Sequence, residues 1–254
     1  MTARRRRAVI AIALSAVVIG SCSDEDDSTN GSTTTSGPGG DVTLVDDFEN
    51  GSDGWASDMS DFSEATRPDD FLSETGSAPP GFDAADGFVH LAATNTSDDV
   101  FMFLRRQVGP DDGLEPSTDY EIGYTVEFAS DAPTGCAGIG GAPGESVWLK
   151  VGATAEEPLP VNSDGDVRLS VDKGNQSQAG PAAVIAGDVA NGIPCEEALD
   201  SDRPPFAMVE HSAAIEATTD DEGNLWLFVG TDSGFEGRTS IHYDRIEVNL
   251  SPQA

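Results

Sequence analysis

Short apolar stretches separated by turn residues follow one another from residue 41 to residue 250. Apolar and polar positions alternate in 122–128, which predicts a strand with one buried face. The stretches 100–104 and 225–229 are apolar at every position, which predicts central strands covered on both faces. The strands predicted in this way span 42–48, 88–93, 100–108, 120–128, 147–153, 167–171, 225–229 and 241–250.

This series of strands, without a long amphipathic helix, predicts an all-β fold. We expect residues 41–254 to form one antiparallel β-sandwich of the jelly-roll type. One long, loop-rich insertion is also predicted, in the loose region 131–205. A short helix is predicted inside that insertion, at 181–188.

The net charge of the chain limits the classes of molecule that it can bind. The chain has 46 Asp and Glu residues against 13 Lys and Arg, a formal net charge of −33. Phosphate contacts need clustered Lys and Arg, so this balance excludes nucleic acid as a partner. Hydrophobic residues make up 37 % of the chain, which is enough to fill one core, so the charge does not by itself indicate disorder.

The first 21 residues have the pattern of an export signal. Four arginines at 4–7 precede an apolar run of 13 residues, 8–20, which is too short to span a bilayer. Residues 19–22, Ile-Gly-Ser-Cys, resemble the bacterial lipobox. The resemblance implies lipidation of Cys22 and an anchor in the cell membrane on its extracytoplasmic face. The alternative is an ordinary signal with an incidental cysteine.

The segment that follows predicts a flexible tether at 22–40. It is acidic at first and then rich in Ser, Thr and Gly, with no apolar residue to fold around. The two remaining cysteines, Cys136 and Cys195, lie in Gly/Pro-rich segments of an exported domain. An oxidising compartment favours a disulfide between them, and two free thiols are the alternative.

Two motifs carry a resemblance to a fold family. Phe48-Glu49 followed by Gly54-Trp55, together with the closing Tyr-Asp-Arg-Ile-Glu-Val of 243–248, is similar to galactose-binding-like jelly rolls. Many carbohydrate-binding modules have that architecture. The segments 135–140, 172–177 and 230–237 also resemble a family of bacterial lipoproteins, a resemblance that implies no activity.

The last predicted strand changes parity, because its apolar positions are odd up to Tyr243 and even from Ile246. A β-bulge at residues 244–245 accounts for this change. The jelly-roll resemblance further implies that the first and last strands are neighbours and hold a structural Ca²⁺. Carried over by position, its side-chain ligands are Glu49 and Asp244, with Asp47 as a third. The alternative is that Glu49 and Asp244 only pair with Arg245 or Arg238.

Catalytic patterns are weak in this sequence. His90, His211 and His242 lack zinc-binding spacing, and no serine has the context of a nucleophile elbow. Acidic residues are so numerous that a carboxylate pair carries no information. We therefore predict no catalytic residue. A jelly-roll hydrolase or lyase would need a cleft that brings one of the histidines near a tyrosine or arginine.

A binding surface is easier to place. Alternation puts Val147, Leu149 and Val151 on one face of a strand and Trp148 on the other, so Trp148 faces outward if the first three are core. Sugars bind by stacking on an aromatic ring and by hydrogen bonds to amides and carboxylates. The polar set after the strand at 167–171 is a candidate rim for such a site, and comprises Asp172, Lys173, Asn175 and Gln176. The alternatives are that Trp148 packs under the long 154–205 connection and that the polar set is only a hydrogen-bonded turn.

These features favour a lipid-anchored, extracytoplasmic β-sandwich that binds a carbohydrate or cell-envelope glycan without catalysis. The alternative from another class is a structural or protein-interaction module of an envelope complex. A glycan hydrolase or lyase is the third hypothesis.

Overall fold

The structure is a computed structural model, which describes residues 32–36, 40–83, 86–97, 99–201 and 205–253. The predicted signal peptide and Cys22 lie outside the described residues. Within those ranges, no helix is long and apolar enough to cross a bilayer.

Strands dominate the described residues, with one short α-helix, α1 (Cys195–Leu199), and one 3₁₀ turn at Pro110–Asp112. The all-β prediction is confirmed. The strands are β1 (Thr33–Ser36), β2 (Val42–Asp46), β3 (Ala56–Ser60), β4 (Phe62–Ser63), β5 (Leu72–Ser77), β6 (Gly87–Thr94), β7 (Val100–Val108), β8 (Asp119–Ser130), β9 (Val147–Thr154), β10 (Pro160–Ser163), β11 (Asp166–Leu169), β12 (Ala183–Asp188), β13 (Ala207–Thr218), β14 (Leu225–Ser233) and β15 (Arg238–Pro252).

The strands form three antiparallel sheets. Sheet 1 is built around the long strand β15. One edge of β15 pairs with β8, and the other edge pairs first with β6 and then with β2. The outer strands are β13 beside β8, β5 beside β6 and β1 beside β2. Sheet 2 has the order β12-β9-β14-β7-β3, and the small sheet 3 has the order β10-β11-β4. Sheets 1 and 2 pack face to face, which confirms the antiparallel sandwich.

The core lies between sheets 1 and 2. Leu44, Val126 and Val248 of sheet 1 and Leu149 and Leu227 of sheet 2 are fully buried in it. The alternation of apolar and polar residues in the sequence therefore identified the buried faces of these strands correctly, because successive side chains of a strand point to opposite sides.

The two continuously apolar strands are covered on both faces, as predicted. Phe101 and Phe103 of β7 and Phe228 of β14 point away from the main core and form a second apolar cluster with Ala182 and Ala183. The chain that follows β9 supplies this cover. The region 131–205 is thus less loop-rich than predicted, because it includes β9 and β12 of sheet 2 and β10 and β11 of sheet 3.

Two further predictions concern the terminal strands and the cysteines. The register of β15 against β8 shifts between Tyr243 and Arg245, which confirms the β-bulge, and β2 pairs with β15. Cys136 and Cys195 form a disulfide, with Cα atoms 5.0 Å apart. It ties the chain after β8 to the start of α1.

The sequence prediction missed β1, β3, β4, β5, β10, β12 and β13, and three of these segments have a local explanation. The helix predicted at 181–188 is wrong, because residues 183–188 form the strand β12, with a bulge between Ile185 and Gly187. The Gly-Pro pair at 180–181 precedes this strand, and both residue types disfavour a helix. β13 was missed because its partly buried positions are mostly small residues. Residues 33–36, within the predicted tether, form the edge strand β1 through backbone pairing with β2, with all four side chains exposed.

Candidate functional site

Trp148 lies on the outer face of sheet 2 and is partly exposed. Val147, Leu149 and Val151 of the same strand are fully buried in the core, as the alternation predicted. In register, Trp148 stands between Asp188 of β12 and Asp232 of β14. The indole is therefore neither in the core nor fully covered by the long connection.

The loop 172–178 comes to the same place. A Cβ atom at Gly234 would lie 3.3 Å from Cζ3 of Trp148 and 3.2 Å from Oε1 of Gln176, so the chain after β14 closes against both side chains. Asp172 and Asn175 of the same loop are exposed. The structure thus brings Gln176 close to Trp148, and Asp172 and Asn175 belong to the same loop; we call this set the Trp148 surface (Trp148, Asp172, Asn175 and Gln176).

Lys173, the fourth rim residue, points inward instead. Its Nζ lies 2.7 Å from Oδ2 of Asp232 and 2.8 Å from Oδ2 of Asp61, and 4.7 Å from the ring centroid of Phe101. The residue is 4 % exposed. Lys173 is therefore not part of an exposed rim, because two buried carboxylates and an aromatic face hold its ammonium inside.

The second lysine of the chain, Lys150, reaches the same carboxylate. Its Nζ lies 2.9 Å from Oδ2 of Asp232 and donates hydrogen bonds to the carbonyl oxygens of Lys173 (3.0 Å) and Gln178 (2.9 Å). The backbone N–H of Gln176 also donates to Oδ2 of Asp232, at 2.8 Å. One buried carboxylate thus fixes both lysines and the backbone of the loop.

Opposite effects act on the two ammonium groups. Burial alone would lower the pKa of Lys173, but the carboxylates of Asp232 and Asp61 outweigh it and raise that pKa. Burial lowers the pKa of Lys150, and Asp232 offsets only part of the effect. Lys173 is accordingly the more firmly charged partner of Asp232.

Asp99 completes what we call the Asp232 network (Asp61, Asp99, Lys150, Lys173 and Asp232). Among the described residues, Asp61, Asp99 and Asp232 are the group of three metal-ligand-type side chains whose ligand atoms lie within 4.8 Å of one another. Burial, Asp232 and Asp61 together raise the pKa of Asp99 to about 7, against the effect of Lys173 and Arg168. The ammonium of Lys173 lies between Asp61 and Asp232, whereas Asp99 pairs with the largely exposed guanidinium of Arg168 (Nη1 to Oδ2, 3.2 Å).

The predicted calcium ligands share an acidic environment at the bulge of β15. Burial and the charges of Glu127, Asp86 and Glu49 raise the pKa of Asp244 to about 6, while Arg245 lowers it. Asp47 accepts a hydrogen bond from the N–H of Glu49 (3.2 Å). Carboxylate oxygens are the donor type that Ca²⁺ prefers, but Asp47, Glu49 and Asp244 are not among the described side chains whose ligand atoms lie within 4.8 Å of one another.

The histidines divide into a pair and a single residue. The rings of His90 and His242 stack with centroids 3.8 Å apart, and Phe88 and Phe206 meet His242 edge-on. Burial and the neighbouring His90 lower the pKa of His242 to about 3, which keeps it neutral. His211 lies apart from them in this arrangement, with Nε2 2.7 Å from the carbonyl oxygen of Asp188.

Sequence reasoning missed Asp61, Asp99, Asp232 and the inward direction of Lys173. One signal was present: the chain has only two lysines, and Lys150 occupies an otherwise apolar strand. A lysine in such a strand is rarely buried unless it is paired with an acid.

Comparisons with known proteins concern the fold. No family model matches the chain, and no curated protein sequence matches it. Similar solved structures include the CBM22-1 xylan-binding domain of Paenibacillus barcinonensis Xyn10C (11 % identity, TM-score 0.35, 83 % of this chain and 95 % of that domain). TmCBM61, solved with β-1,4-galactotriose, is similar over 78 % of this chain and 88 % of its own (11 % identity, TM-score 0.30).

A bacteriophage CBA120 tailspike protein 4 domain is also similar, at 8 % identity and a TM-score of 0.33, over 79 % of this chain. The chain spans only 19 % of the length of that tailspike chain. The structural neighbours thus include carbohydrate-binding modules with a β-sandwich fold. At these identities and TM-scores, no ligand or activity is carried over from them, since one fold hosts many functions.

Replacing Lys173 tests the Asp232 network. Lys173→Met removes the ammonium between Asp61 and Asp232 and leaves Asp232 with Lys150 and Asp61 with the more distant Arg168, so we expect the free energy of unfolding to fall by about 3–5 kcal/mol. Arg245→Gln, which breaks only partly exposed ion pairs with Glu127 and Glu247, is the control and is expected to cost about 0.5 kcal/mol. Urea unfolding measures both; equal losses would contradict the network.

Replacing Asp99 tests its raised pKa. The folded protein holds the proton of Asp99 up to a pH of about 7 while the unfolded chain releases it near the ordinary value of 3.8, so ionisation of Asp99 lowers stability as the pH rises between these values. We expect the free energy of unfolding of Asp99→Asn, relative to that of the parent chain, to rise by about 2–3 kcal/mol between pH 5 and pH 8. Asp111→Asn, at an exposed position, should show no such change. A difference between Asp99→Asn and parent that stays constant with pH would refute the assignment.

Proposed function

We propose that this chain is a lipid-anchored, extracytoplasmic β-sandwich that binds a carbohydrate or cell-envelope glycan without catalysis, and that the Trp148 surface contacts the sugar. The observation that carries the proposal is a partly exposed indole beside a loop that presents an exposed carboxylate and an exposed amide. An indole offers an apolar face to the C–H groups of a pyranose ring. The side chains of Asp172 and Asn175 offer hydrogen-bond partners to its hydroxyls.

The Asp232 network supports the proposal by holding this loop in one shape. Gln176 has a left-handed backbone (φ 46°) and its N–H is bonded to a buried carboxylate. Gly174 has φ 75°, and a Cβ there would come within 2.2 Å of the carbonyl oxygen of Gln178, so the turn is tight and specific. A loop that is already ordered loses little conformational entropy on binding, which favours affinity for a flexible glycan.

Trp148→Ala tests the glycan surface. It removes the stacking face, so we expect at least a tenfold loss of affinity for whichever polysaccharide the parent chain binds in a glycan array, with Asn175→Ala weakening binding less. Trp226→Ala is the matched control, because Trp226 is a partly exposed tryptophan elsewhere on the same face of sheet 2. Affinity electrophoresis measures binding, and circular dichroism verifies folding.

Two outcomes would contradict the glycan proposal. One is a parent chain that binds no polysaccharide in the array. The other is a Trp148→Ala chain, folded as the parent, that binds as tightly as Trp226→Ala. Retention of a defined protein partner by Trp148→Ala would favour the protein-interaction alternative.

The proposed membrane anchor depends on Cys22. Lipidation there would hold the sandwich outside the cytoplasm on its acidic tether, whose negative charge repels anionic headgroups. We expect Cys22→Ser to lose palmitate labelling and to leave the membrane fraction on export. Unchanged fractionation and labelling would contradict lipidation at this residue.

The proposed calcium site would involve Glu49 and Asp244, with Asp47 as a third ligand. A bound Ca²⁺ would neutralise the acidic group at the β15 bulge and join the first and last strands of the sandwich. About 1 mM Ca²⁺ should raise the melting temperature, and EGTA should reverse it. The rise should shrink below pH 6, where Asp244 becomes protonated. Glu49→Gln/Asp244→Asn should abolish it, and a parent chain indifferent to both reagents would exclude the site.

A further inference from the structure

A pocket of about 390 Å³ lies between sheet 3 and β3, the edge strand of sheet 2. Three of its lining residues stand in one row on sheet 3, because Asn162 is paired with Val167 and Val167 is paired with Phe62. Residues directly opposite each other on antiparallel strands point to the same face, so this face of sheet 3 forms one wall of the pocket. The remaining lining residues are Asp58, Met59, Arg67, Phe71 and Pro160.

The guanidinium of Arg67 has no acidic partner among the described residues. Every other arginine in that part of the chain forms an ion pair with an Asp or a Glu. Arg67 is exposed, and its Cζ lies over the ring of Phe62, 5.7 Å from the ring centroid. An arginine stacked on a ring keeps the N–H groups at its edge free, where a carboxylate can accept two of them. In a chain with 46 Asp and Glu residues, an arginine without one indicates an anion from outside.

The middle of the pocket is apolar. Met59, Phe62 and Val167 form a small buried cluster. Phe71 packs against this cluster and is partly exposed, so its ring gives the pocket an aromatic surface. Aromatic surface of this kind stabilises the C–H groups on one face of a sugar ring.

Asn162 and Asp58 offer hydrogen bonds beside this apolar surface. Asn162 is exposed, and its Nδ2 donates one hydrogen to Oε1 of Glu64 (3.0 Å), so a second hydrogen is left for a ligand. Asp58 is partly exposed, with Oδ2 3.4 Å from Nη1 of Arg105. The charge of Asp58 is therefore balanced by Arg105, and its remaining lone pairs can accept from hydroxyl groups.

We propose that this pocket binds a hexuronate, either free or as a single residue of a glycan. The carboxylate of the sugar pairs with Arg67, a C–H face of its ring lies against Phe71, and its hydroxyls bond to Asn162 and Asp58. The glycan form of this ligand rests on the proposed function, to which it adds a class of sugar. No residue of the Trp148 surface lines this pocket.

Size and polarity select this class of ligand. Pockets for small molecules span roughly 300–1,000 Å³, so a pocket of about 390 Å³ suits a single ring. A neutral hexose leaves Arg67 without an anion, and an apolar carboxylic acid leaves Asp58 and Asn162 without hydroxyl partners. The net charge of −33 repels a run of uronates, so it favours a ligand with one carboxylate.

Titration of the full chain with defined sugars tests the proposal. Calorimetry and amide NMR shifts should show saturable binding of D-glucuronate or D-galacturonate, with shifts in 58–71 and 160–168. Glucose and galactose lack the carboxylate and acetate lacks the ring, so each should bind more weakly by about tenfold or more. Tighter binding of an oligosaccharide with one glucuronate than of free glucuronate would identify the glycan as the ligand, and equal binding would identify the free sugar.

Variants of Arg67 locate the site. Arg67→Gln removes the charge and should weaken hexuronate binding by about tenfold or more; it breaks no ion pair of the described residues, so the fold should stay intact. Arg67→Lys keeps the charge but loses the two-pronged contact, so it should restore only part of the affinity. Arg245→Gln, on sheet 1, is the control and should bind as the parent chain does. The proposal is overturned if hexuronate produces no saturable shifts, if glucose or acetate binds as tightly, or if Arg67→Gln binds as the parent.

Trp148→Ala separates this inference from the proposed glycan surface. It should keep hexuronate binding, because Trp148 does not line the pocket. A parent chain that binds polysaccharides in the array without hexuronate shifts would contradict the hexuronate pocket alone. Hexuronate shifts in a chain that binds no polysaccharide would contradict the glycan surface alone.

Discussion

The carboxylate of Asp232 is the group on which the outer half of this protein depends. It is fully buried on a central strand of sheet 2, and it receives Lys150, Lys173 and the N–H of Gln176 within 2.9 Å. A buried charge is tolerated only when it is paired and hydrogen-bonded. The chain after β11 must therefore fold over sheet 2, where it also covers the apolar cluster around Phe228.

Charge distribution follows from the same constraint. The chain has 46 acidic residues, most of which stay solvated, but both of its lysines lie in the interior around Asp232. The Asp232 network holds the loop beside Trp148 from inside, and the disulfide ties the chain after β8 to α1. The loop of the Trp148 surface is thus held by internal ion pairs and hydrogen bonds, which explains how an irregular segment keeps a defined shape.

Sequence patterns predicted the sandwich well because its strands carry strong signals. The alternation in β8 and the continuous apolar runs of β7 and β14 reflect burial on one face or two, and the parity change in β15 located the bulge. β13 escaped notice because small residues such as Ala213 and Ala217 form much of its inner face. The direction of Lys173 could not be read locally, since it depends on Asp61 and Asp232, which are distant in sequence.

Hydrogen exchange in Asp232→Asn tests the central role of this carboxylate most directly. The substitution keeps the shape of the side chain but removes the charge that holds both lysines and the N–H of Gln176. We expect amides in 172–178 to lose protection, while amides in the centre of β8 keep theirs, because the main core is untouched. Protection in 172–178 equal to that of the parent chain would show that the loop does not depend on Asp232.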